Sequence, residues 1–257
     1  MGESIPFSLG IKMWSANTDL LPKIFELYSR DFFDYVELYV VPGTSETISE
    51  WRPCPWSYSI HCPHSTHGFN VAKSDLRESN ARLFEEVKLF AEELAASSIV
   101  VHPGNDGPYE ESIHQLRALE DGRIFLENKP HVGAEGQVCR GATPEEMKLL
   151  LRETGAEGLV LDFGHALYAA NALGRPHSEL VEGFLELNPG IFHLNDGPRN
   201  AVRDVHENLG KGSFDLSYLV GCIPEGTAVT LETPRSSEEG FSDLVSDVMY
   251  LRAMMEC

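Results

Sequence analysis

The sequence has no long apolar run and no secretory signal, and both absences restrict where the protein can reside. No run approaches the roughly 18 apolar residues that a membrane helix needs. The N-terminal residues MGESIPFSLG do not have the charged start, apolar centre and cleavage site of a signal peptide. We therefore expect a cytoplasmic protein that does not bind a membrane.

Closely spaced cysteine pairs are also missing. The five cysteines are scattered along the chain, at Cys54, Cys62, Cys139, Cys222 and Cys257. An odd number of cysteines without a Cys-X-X-Cys spacing is typical of a chain in a reducing compartment. This pattern agrees with the expected cytoplasmic location.

Basic residues are scarce. Lysine and arginine number 20 against 40 acidic residues, so the formal net charge is −20 at pH 7. A surface of this charge repels polyanions, and nucleic acid above all. An anionic partner is compatible with it only where a local positive site overrides the field of the whole surface.

Common nucleotide-binding motifs and domain linkers are absent as well. No Gly-X-Gly-X-X-Gly follows the first apolar run, and residues 210–212 (GKG) are not a Walker A motif. No stretch rich in proline, glycine or serine divides the chain. We therefore expect a single domain over residues 1–257.

What the sequence does contain is a series of eight short β-rich runs. Most are nearly continuous apolar stretches, such as SSIVVH, GLVLDF and AVTLET, which are typical of parallel strands covered on both faces. The predicted strands span residues 8–15, 34–41, 57–64, 97–105, 123–129, 158–165, 190–196 and 228–233.

Helical patterns fill most of the intervals between these runs. Residues 83–94 carry one apolar stripe at helical spacing. Residues 143–151 begin with a threonine cap, a proline and a capping-box glutamate. Residues 241–255 predict the last amphipathic helix, whereas residues 44–51 offer only a short one.

The alternation of strands and helices predicts an α/β fold with a parallel sheet. Eight such units in 257 residues favour closure over an open doubly wound sheet, because a closed barrel of this type has about 250 residues. The predicted fold is a single (β/α)₈ TIM barrel.

Histidines and acids cluster where the predicted strands end. In such a barrel the carboxyl ends of all strands meet at one mouth, where active sites are built. A lone histidine there is more often structural, and a lone acid is commonly a helix cap. Together they predict a metal site, because a buried carboxylate is costly unless it is paired or binds a metal. The residues concerned are His61, His64, His102, Glu127, Asp162, His165, His193, Asp196, Asp204, His206 and Glu232.

The segments around these positions resemble the strand-end motifs of the endonuclease IV family, which belongs to the xylose isomerase-like TIM barrels. The resemblance runs in order from the third strand to the eighth, about two thirds of the chain. The segments are IHCPH (60–64), VVHPGN (100–105), FLENKP (125–130), LVLDFGHA (159–166), FHLNDG (192–197), DVHENLGKG (204–212) and TLETP (230–234).

The resemblance implies a site for up to three zinc ions, with every ligand position of the family occupied. It also implies hydrolysis of a phosphoester by a metal-bound hydroxide, in abasic-site DNA or in a smaller molecule. The implied ligands are His61, His102 and Glu127 for the first zinc, Glu127, Asp162, His193 and Glu232 for the second, and His165, Asp204 and His206 for the third.

A second function stays open, because the four ligands of the second zinc also occur in single-metal sugar isomerases and epimerases. There the metal would be Mn²⁺, Mg²⁺ or Zn²⁺, and Glu127 and Glu232 would form an acid–base pair acting on a sugar or sugar phosphate. His102, Asp204 and His206 favour the three-metal hydrolase, since isomerases of this type usually have arginine in place of His206. A metal-stabilised binding protein without catalysis is the third hypothesis.

Several basic side chains near the predicted mouth are candidates for substrate binding, with a solvated loop charge as the alternative for each. Lys12 lies inside the apolar first strand, where it would either contact substrate at the mouth or pair with Glu37 on the second strand. The candidates are Lys12, Lys129, Arg199, Arg203, Lys211 and Arg235.

The first two strands depart from the endonuclease IV pattern. The opening segment GIKMWSANTD lacks the family's glycine-histidine pattern, and ELYVVPGTSETISEW replaces its basic, aromatic DNA loop. Glu37 resembles the sugar-isomerase branch instead, and His64 stands where the family has a tyrosine that wedges into DNA. These departures and the net charge disfavour DNA as the substrate. No role is assigned to His64, His67, His114, His131 or His177, and the oligomeric state is not predicted.

Overall fold

A computed structural model of the chain describes residues 5–235 and 241–255. Its eight parallel strands close into a barrel in which each strand pairs with the next along the chain, and β1 also pairs with β8. The predicted (β/α)₈ barrel is therefore confirmed. The strands are β1 (Ser8–Trp14), β2 (Tyr35–Tyr39), β3 (Ser57–His61), β4 (Ile99–Val101), β5 (Ile124–Glu127), β6 (Gly158–Asp162), β7 (Ile191–Leu194) and β8 (Ala228–Leu231).

Helices follow the strands and surround the barrel. None of those in the described residues is both long enough and apolar enough to cross a membrane. The α-helices are α1 (Leu21–Tyr28), α2 (Ile48–Trp51), α3 (Arg77–Glu93), α4 (Tyr109–Ala118), α5 (Pro144–Thr154), α6 (Phe163–Leu173), α7 (His177–Leu185), α8 (Leu216–Gly221) and α9 (Ser242–Met255).

The helix signals in the sequence correspond to helices in the structure. The hydroxyl of Thr143 accepts a hydrogen bond from the backbone N–H of Glu146 at 3.3 Å, and Pro144 begins α5. The apolar stripe of residues 83–94 lies mostly on α3, which buries Phe84 and Phe90. The weak segment 44–51 forms a 3₁₀ turn and the four-residue helix α2.

The strands are shorter than predicted, which corrects several boundaries. The predicted strand 97–105 contains only the three residues of β4. The predicted strand 158–165 ends at Asp162, whose carboxylate accepts a hydrogen bond from the N–H of His165 at 2.7 Å and caps α6. The apolar runs continue past the paired strands because the loops and helix starts at the mouth are also buried.

Strand alternation separates the barrel interior into an apolar floor and a polar mouth. Residues two apart on a strand face the same side, so Phe125 and Glu127 of β5 both point inward, as do the corresponding residues of β6 and β7. Val100, Val160 and Ile191 form a separate apolar cluster, against which Phe125 packs. One layer nearer the mouth, the inward positions are acids and histidines that are almost completely buried.

Candidate metal centre

The barrel brings all nine predicted metal ligands to its mouth. Some end a strand or directly follow one, and two come from the loop after β7. Each has at least one nitrogen–oxygen approach within 4.0 Å to another member, and the approach of His193 to Glu127 joins the His193–Glu232 pair to the rest, so that the nine form one connected network. They are His61, His102, Glu127, Asp162, His165, His193, Asp204, His206 and Glu232.

Glu127 lies at the centre of this network. Its Oε2 is 3.0 Å from Nε2 of His61 and 2.9 Å from Nε2 of His102. Its Oε1 is 3.1 Å from Nδ1 of His165. One buried carboxylate thus connects imidazoles from three sides, which is the position required of a residue that bridges two metal ions.

Asp204 connects the two histidines on the opposite side of the mouth. Its Oδ2 is 3.2 Å from Nε2 of His165, and its Oδ1 is 2.9 Å from Nε2 of His206. His165 also contacts Glu127, so this group is continuous with the centre of the site.

The third part of the network contains His193 between two glutamates. Its Nδ1 is 3.0 Å from Oε1 of Glu232, and its Nε2 donates a hydrogen bond to Oε2 of Glu37 at 2.9 Å. Both His193 and Glu37 are completely buried. Burial alone would raise the pKa of Glu37. Attraction to His193 and Lys12 outweighs this effect and lowers the pKa to about 2.

Most of the imidazoles have one ring nitrogen held by a backbone carbonyl. Nδ1 of His61 donates to Cys62, Nδ1 of His165 donates to Asn128, and Nδ1 of His206 donates to Glu232, at 2.6–2.8 Å. In the neutral form of each ring, the second nitrogen is therefore unprotonated, and it faces the carboxylates. This is how metal-binding histidines are fixed in the correct tautomer and orientation.

The loop that carries Asp204 and His206 is fixed by a buried aspartate. The carboxylate of Asp196 accepts hydrogen bonds from the backbone N–H groups of Gly210, Gly212 and Phe214, each at 3.0 Å. A Cβ at Gly212 would overlap this carboxylate and the Gly197 backbone, so only glycine fits there. The sequence analysis placed Asp196 at a strand end, and the structure gives it this anchoring contact.

The buried polar atoms of the site match the donor set of a divalent metal. Glu127 Oε1, His193 Nδ1 and Asp204 Oδ1 are buried, and although each lies close to an oppositely charged group, none makes a well-aligned hydrogen bond, which is uncommon in folded proteins. Groups of three potential ligand atoms lie within 4.8 Å of one another, including Glu127–Asp162–His193 and Asp162–His165–His206. Mixed imidazole and carboxylate ligands suit zinc or manganese. The residues present therefore fit a bound metal.

Carboxylates outnumber ammonium groups at the mouth of the barrel. Burial disfavours the charged form of His206, but the negative charge of Asp204 outweighs it and raises the pKa of His206 to about 9. Five carboxylates face only two ammonium groups here. A site that stabilises a proton in this way also stabilises a metal cation in its place. The carboxylates are those of Glu37, Glu127, Asp162, Asp204 and Glu232, and the ammonium groups are those of Lys12 and Lys129.

Two of the predicted substrate-binding lysines lie inside the network. Lys12 forms ion pairs with Glu232 and, at 3.4 Å, with Glu37, so it both reaches the mouth and makes the expected pair. The Nζ of Lys129 is 3.7 Å from Glu127 Oε1 and 3.3 Å from Nε2 of His165. Each lysine side chain keeps 14% of its surface exposed, which leaves room for a ligand to reach it.

The other basic candidates lie further from the network. Arg199 lines a cavity of about 550 Å³ on the outer face, beside α7 and α8. The guanidinium of Arg203 contacts the carbonyl of Ala134, and Lys211 is an exposed loop residue. Arg235 donates to the carbonyl of Thr233 at 2.8 Å and so borders the mouth.

A second cavity, of about 490 Å³, opens directly at the metal-capable residues. Its wall includes Lys12, Trp14, His64, His206 and Glu232. The larger cavity beside α7 has none of the network's residues in its wall, so we take the cavity at the mouth as the candidate substrate site.

Two residues of the site are not among the nine ligands that the resemblance implies. Glu37 orients His193, and His64 lies with its ring against His61 and His102. The acid inside the apolar second strand, and the spacing of two histidines in IHCPH, are the sequence signals for these two residues.

The fold and the site agree with what comparison with known proteins shows. The chain belongs to the xylose isomerase-like TIM barrel family, whose model matches residues 33–253. A protein named "Probable endonuclease 4" from Sulfurihydrogenibium sp. is 30% identical over 184 residues, which are 62% of this chain and 65% of that protein. The aligned part thus spans just under two thirds of the relative's length.

Solved structures of two different functions resemble the barrel equally well. Endonuclease IV from Thermus thermophilus has a TM-score of 0.70 at 22% identity, covering 97% of this chain and 99% of that one. A 3-keto-D-glucoside 4-epimerase from E. coli has a TM-score of 0.67 at 14% identity, covering 98% and 100%. At these identities the two structures establish the shared fold alone.

Proposed function

We propose that this chain is a zinc-dependent phosphoester hydrolase with a site for up to three metal ions. The observation that carries the proposal is the group formed by His165, Asp204 and His206, in which the Asp204 carboxylate lies 3.2 Å from one imidazole and 2.9 Å from the other. This group adds a third set of ligands beside the four that sugar isomerases share.

The residues would divide among the ions as the resemblance implies, with Glu127 as the bridge. A divalent metal in this site supplies a Lewis acid that lowers the pKa of water towards ~7 and neutralises negative charge on a phosphate. The three sets are His61, His102 and Glu127; Glu127, Asp162, His193 and Glu232; and His165, Asp204 and His206.

The chain's own charged groups would orient the substrate at this mouth. Lys12, in the cavity wall, would donate hydrogen bonds and positive charge to the oxygens of a phosphate, and Lys129 would do so from its place beside Glu127. Glu127 and Glu232 lie 3.8 Å and 3.0 Å from Nδ1 of His193, and we assign these two glutamates the catalytic roles. Arg199, Arg203 and Lys211 stay weaker substrate-binding candidates because their side chains lie outside the network.

The cavity favours a small phosphoester over abasic-site DNA. Its volume of about 490 Å³ suits a small ligand, and Trp14, which is 49% exposed, offers a flat apolar face for a sugar or base. The net charge of −20 works against the long-range attraction of a polynucleotide.

Isomerisation or epimerisation of a sugar or sugar phosphate at a single metal is the second candidate. The buried pair of Glu37 and His193 supports it, because Glu37 is the feature of this site that resembles the sugar-isomerase branch. In that case Glu127 and Glu232 would move the proton beside the carbonyl.

Elemental metal analysis of the purified, untagged protein tests the proposal together with the variant His206→Ala. We expect about three zinc ions per chain and hydrolysis of a small phosphodiester by the wild type. The variant should lose about one metal per chain and at least about a hundredfold in hydrolysis rate, because one ligand set is broken.

The opposite result would be a single metal per chain, no phosphodiesterase activity and turnover of ketose or aldose substrates. Wild-type hydrolysis by His206→Ala would show that the third ligand set has no role. His177→Ala is the matched control, because that histidine lies at the start of α7 and contacts Asn171. Its metal content and rate should equal those of the wild type.

We also propose that the protein works as one domain in the cytoplasm. The four cysteines among the described residues, Cys54, Cys62, Cys139 and Cys222, are unpaired, which suits a reducing compartment. Cys257 lies outside the described residues.

A further inference from the structure

His64 lies in the loop that follows β3, directly before a 3₁₀ turn (Ser65–His67), and is held there by a tyrosine. The backbone N–H of His64 donates a hydrogen bond to the hydroxyl of Tyr39 at 2.8 Å, and the two rings meet edge to face with their centroids 4.6 Å apart. The same hydroxyl lies 2.5 Å from Nδ1 of His67. Tyr39 is buried at the end of β2, so the position of His64 is fixed by the barrel itself.

The ring of His64 lies in the metal-capable network rather than in solvent. It stacks on the ring of His102 at a centroid distance of 4.7 Å and an angle of 19°, and it is 5.1 Å from the ring of His61. One nitrogen from each of these three rings lies within 4.8 Å of the other two.

The nitrogen Nε2 of His64 is buried and has no hydrogen-bond partner among the described residues. A buried imidazole nitrogen in this state loses its contact with water without a replacement, which costs free energy unless something binds it. Beside the Tyr39 ring, the neighbouring rings are those of His61 and His102, and neither donates a hydrogen bond to Nε2 of His64. A cation shared by the three rings satisfies all of them.

We propose that His64 is a further ligand of the metal that His61, His102 and Glu127 hold. This inference rests on the proposed metal site but not on the proposed reaction. Three imidazoles and one carboxylate complete a four-coordinate zinc site, so this ion would have no open position for substrate. The open positions would then belong to the other two ligand sets. Imidazole-rich ligands also favour zinc, cobalt and nickel over magnesium at this position.

Titration of the metal-depleted protein with Co²⁺ tests the proposal without an activity assay. The visible absorption of Co²⁺ is strong in four-coordinate sites and weak in six-coordinate ones. In His64→Gln we expect one Co²⁺ equivalent to bind at least about tenfold more weakly in competition with a chelating dye, and its visible absorption to fall. In His64→Cys we expect a thiolate-to-cobalt absorption band in the near ultraviolet that the wild type lacks.

His114→Gln is the matched control, because His114 is exposed on α4 and should leave the titration unchanged. The proposal is overturned if His64→Gln binds every equivalent with wild-type affinity and His64→Cys shows no thiolate band. The cysteine variant keeps a ligand at position 64, so its thiolate band tests the proposal even where His64→Gln folds poorly.

Failure of the proposed function has a different signature. In that case the wild type binds one metal and hydrolyses no phosphodiester, and a thiolate band in His64→Cys would still support His64 as a ligand. A wild type that binds no Co²⁺ overturns both proposals.

Discussion

The two sides of the barrel mouth differ in how closely they follow the endonuclease IV pattern. The side built by β3 to β8 carries the complete set of implied ligands, and three of its histidines are oriented by backbone carbonyls. The side built by β1 and β2 carries Lys12, Glu37 and the exposed Trp14 instead. Under the proposed function, one side would hold the metals and the other would select the substrate.

The physical reason for this difference is that the two tasks constrain residues to different degrees. A metal site needs particular donor atoms at short distances, so few residue types can serve. A substrate wall can be made of many side chains, provided that its shape and charge match the ligand. The β1–β2 side can therefore change while the β3–β8 side stays recognisable.

The largest expected effect is on the metal-holding side. Glu127→Gln should reduce the turnover rate by about a thousandfold or more. The amide of glutamine cannot supply the negative charge of the carboxylate that two of the ligand sets share. This outcome is expected for the hydrolase and for the isomerase, since Glu127 is the bridge in one and an acid–base group in the other. Turnover rate and metal content per chain are the measurements.

The control for this variant is Glu110→Gln, an exposed glutamate at the start of α4, which should behave as the wild type. Full activity of Glu127→Gln would contradict the role assigned to Glu127 in both enzymatic proposals.

A smaller and different effect is expected on the β1–β2 side. Lys12→Met should raise KM for a small phosphodiester about ten- to a hundredfold, because the ammonium group contacts substrate by charge-assisted hydrogen bonds. Metal content should stay the same, since Lys12 is not a ligand. Steady-state kinetics and elemental analysis of one preparation measure both quantities.

Lys23→Met provides the matched control, because Lys23 is on α1 and pairs only with Glu26 among the ion pairs of the described residues. A loss of metal in Lys12→Met with an unchanged KM would contradict the proposal that one side of the mouth holds the metals and the other contacts the substrate.

How far the sequence predicts this molecule depends on the range of each interaction. Eight apolar runs and the helix cap at Thr143 are local patterns, so the barrel and its helices follow from them. Asp162 shows the limit, because whether the chain continues as a strand or turns into α6 depends on a cap hydrogen bond that periodicity does not reveal.

The candidate site shows the same division. The strand-end positions of the nine ligands place them at one mouth, since all strands of a barrel end there. The pair of Lys12 with Glu37 was one of two alternatives that the sequence left open, whereas its pair with Glu232, which is far away in sequence, was not predicted. The stacking of His64 on His102 depends on the course of the loop after β3, which no motif specifies.

The smallest expected effect is on protein stability, through the loop that carries Asp204 and His206. Gly212→Ala should destabilise the protein by about 1–3 kcal/mol, because its Cβ would overlap the Asp196 carboxylate and displace a loop that otherwise has little freedom. Gly221→Ala is the control, since a Cβ there has no neighbour within 4 Å. Thermal unfolding should show a melting temperature several degrees lower for Gly212→Ala than for the control. Equal melting temperatures, with the zinc content of both variants unchanged, would show that Asp204 and His206 keep their places without this anchor, and that the ligand network itself holds the loop.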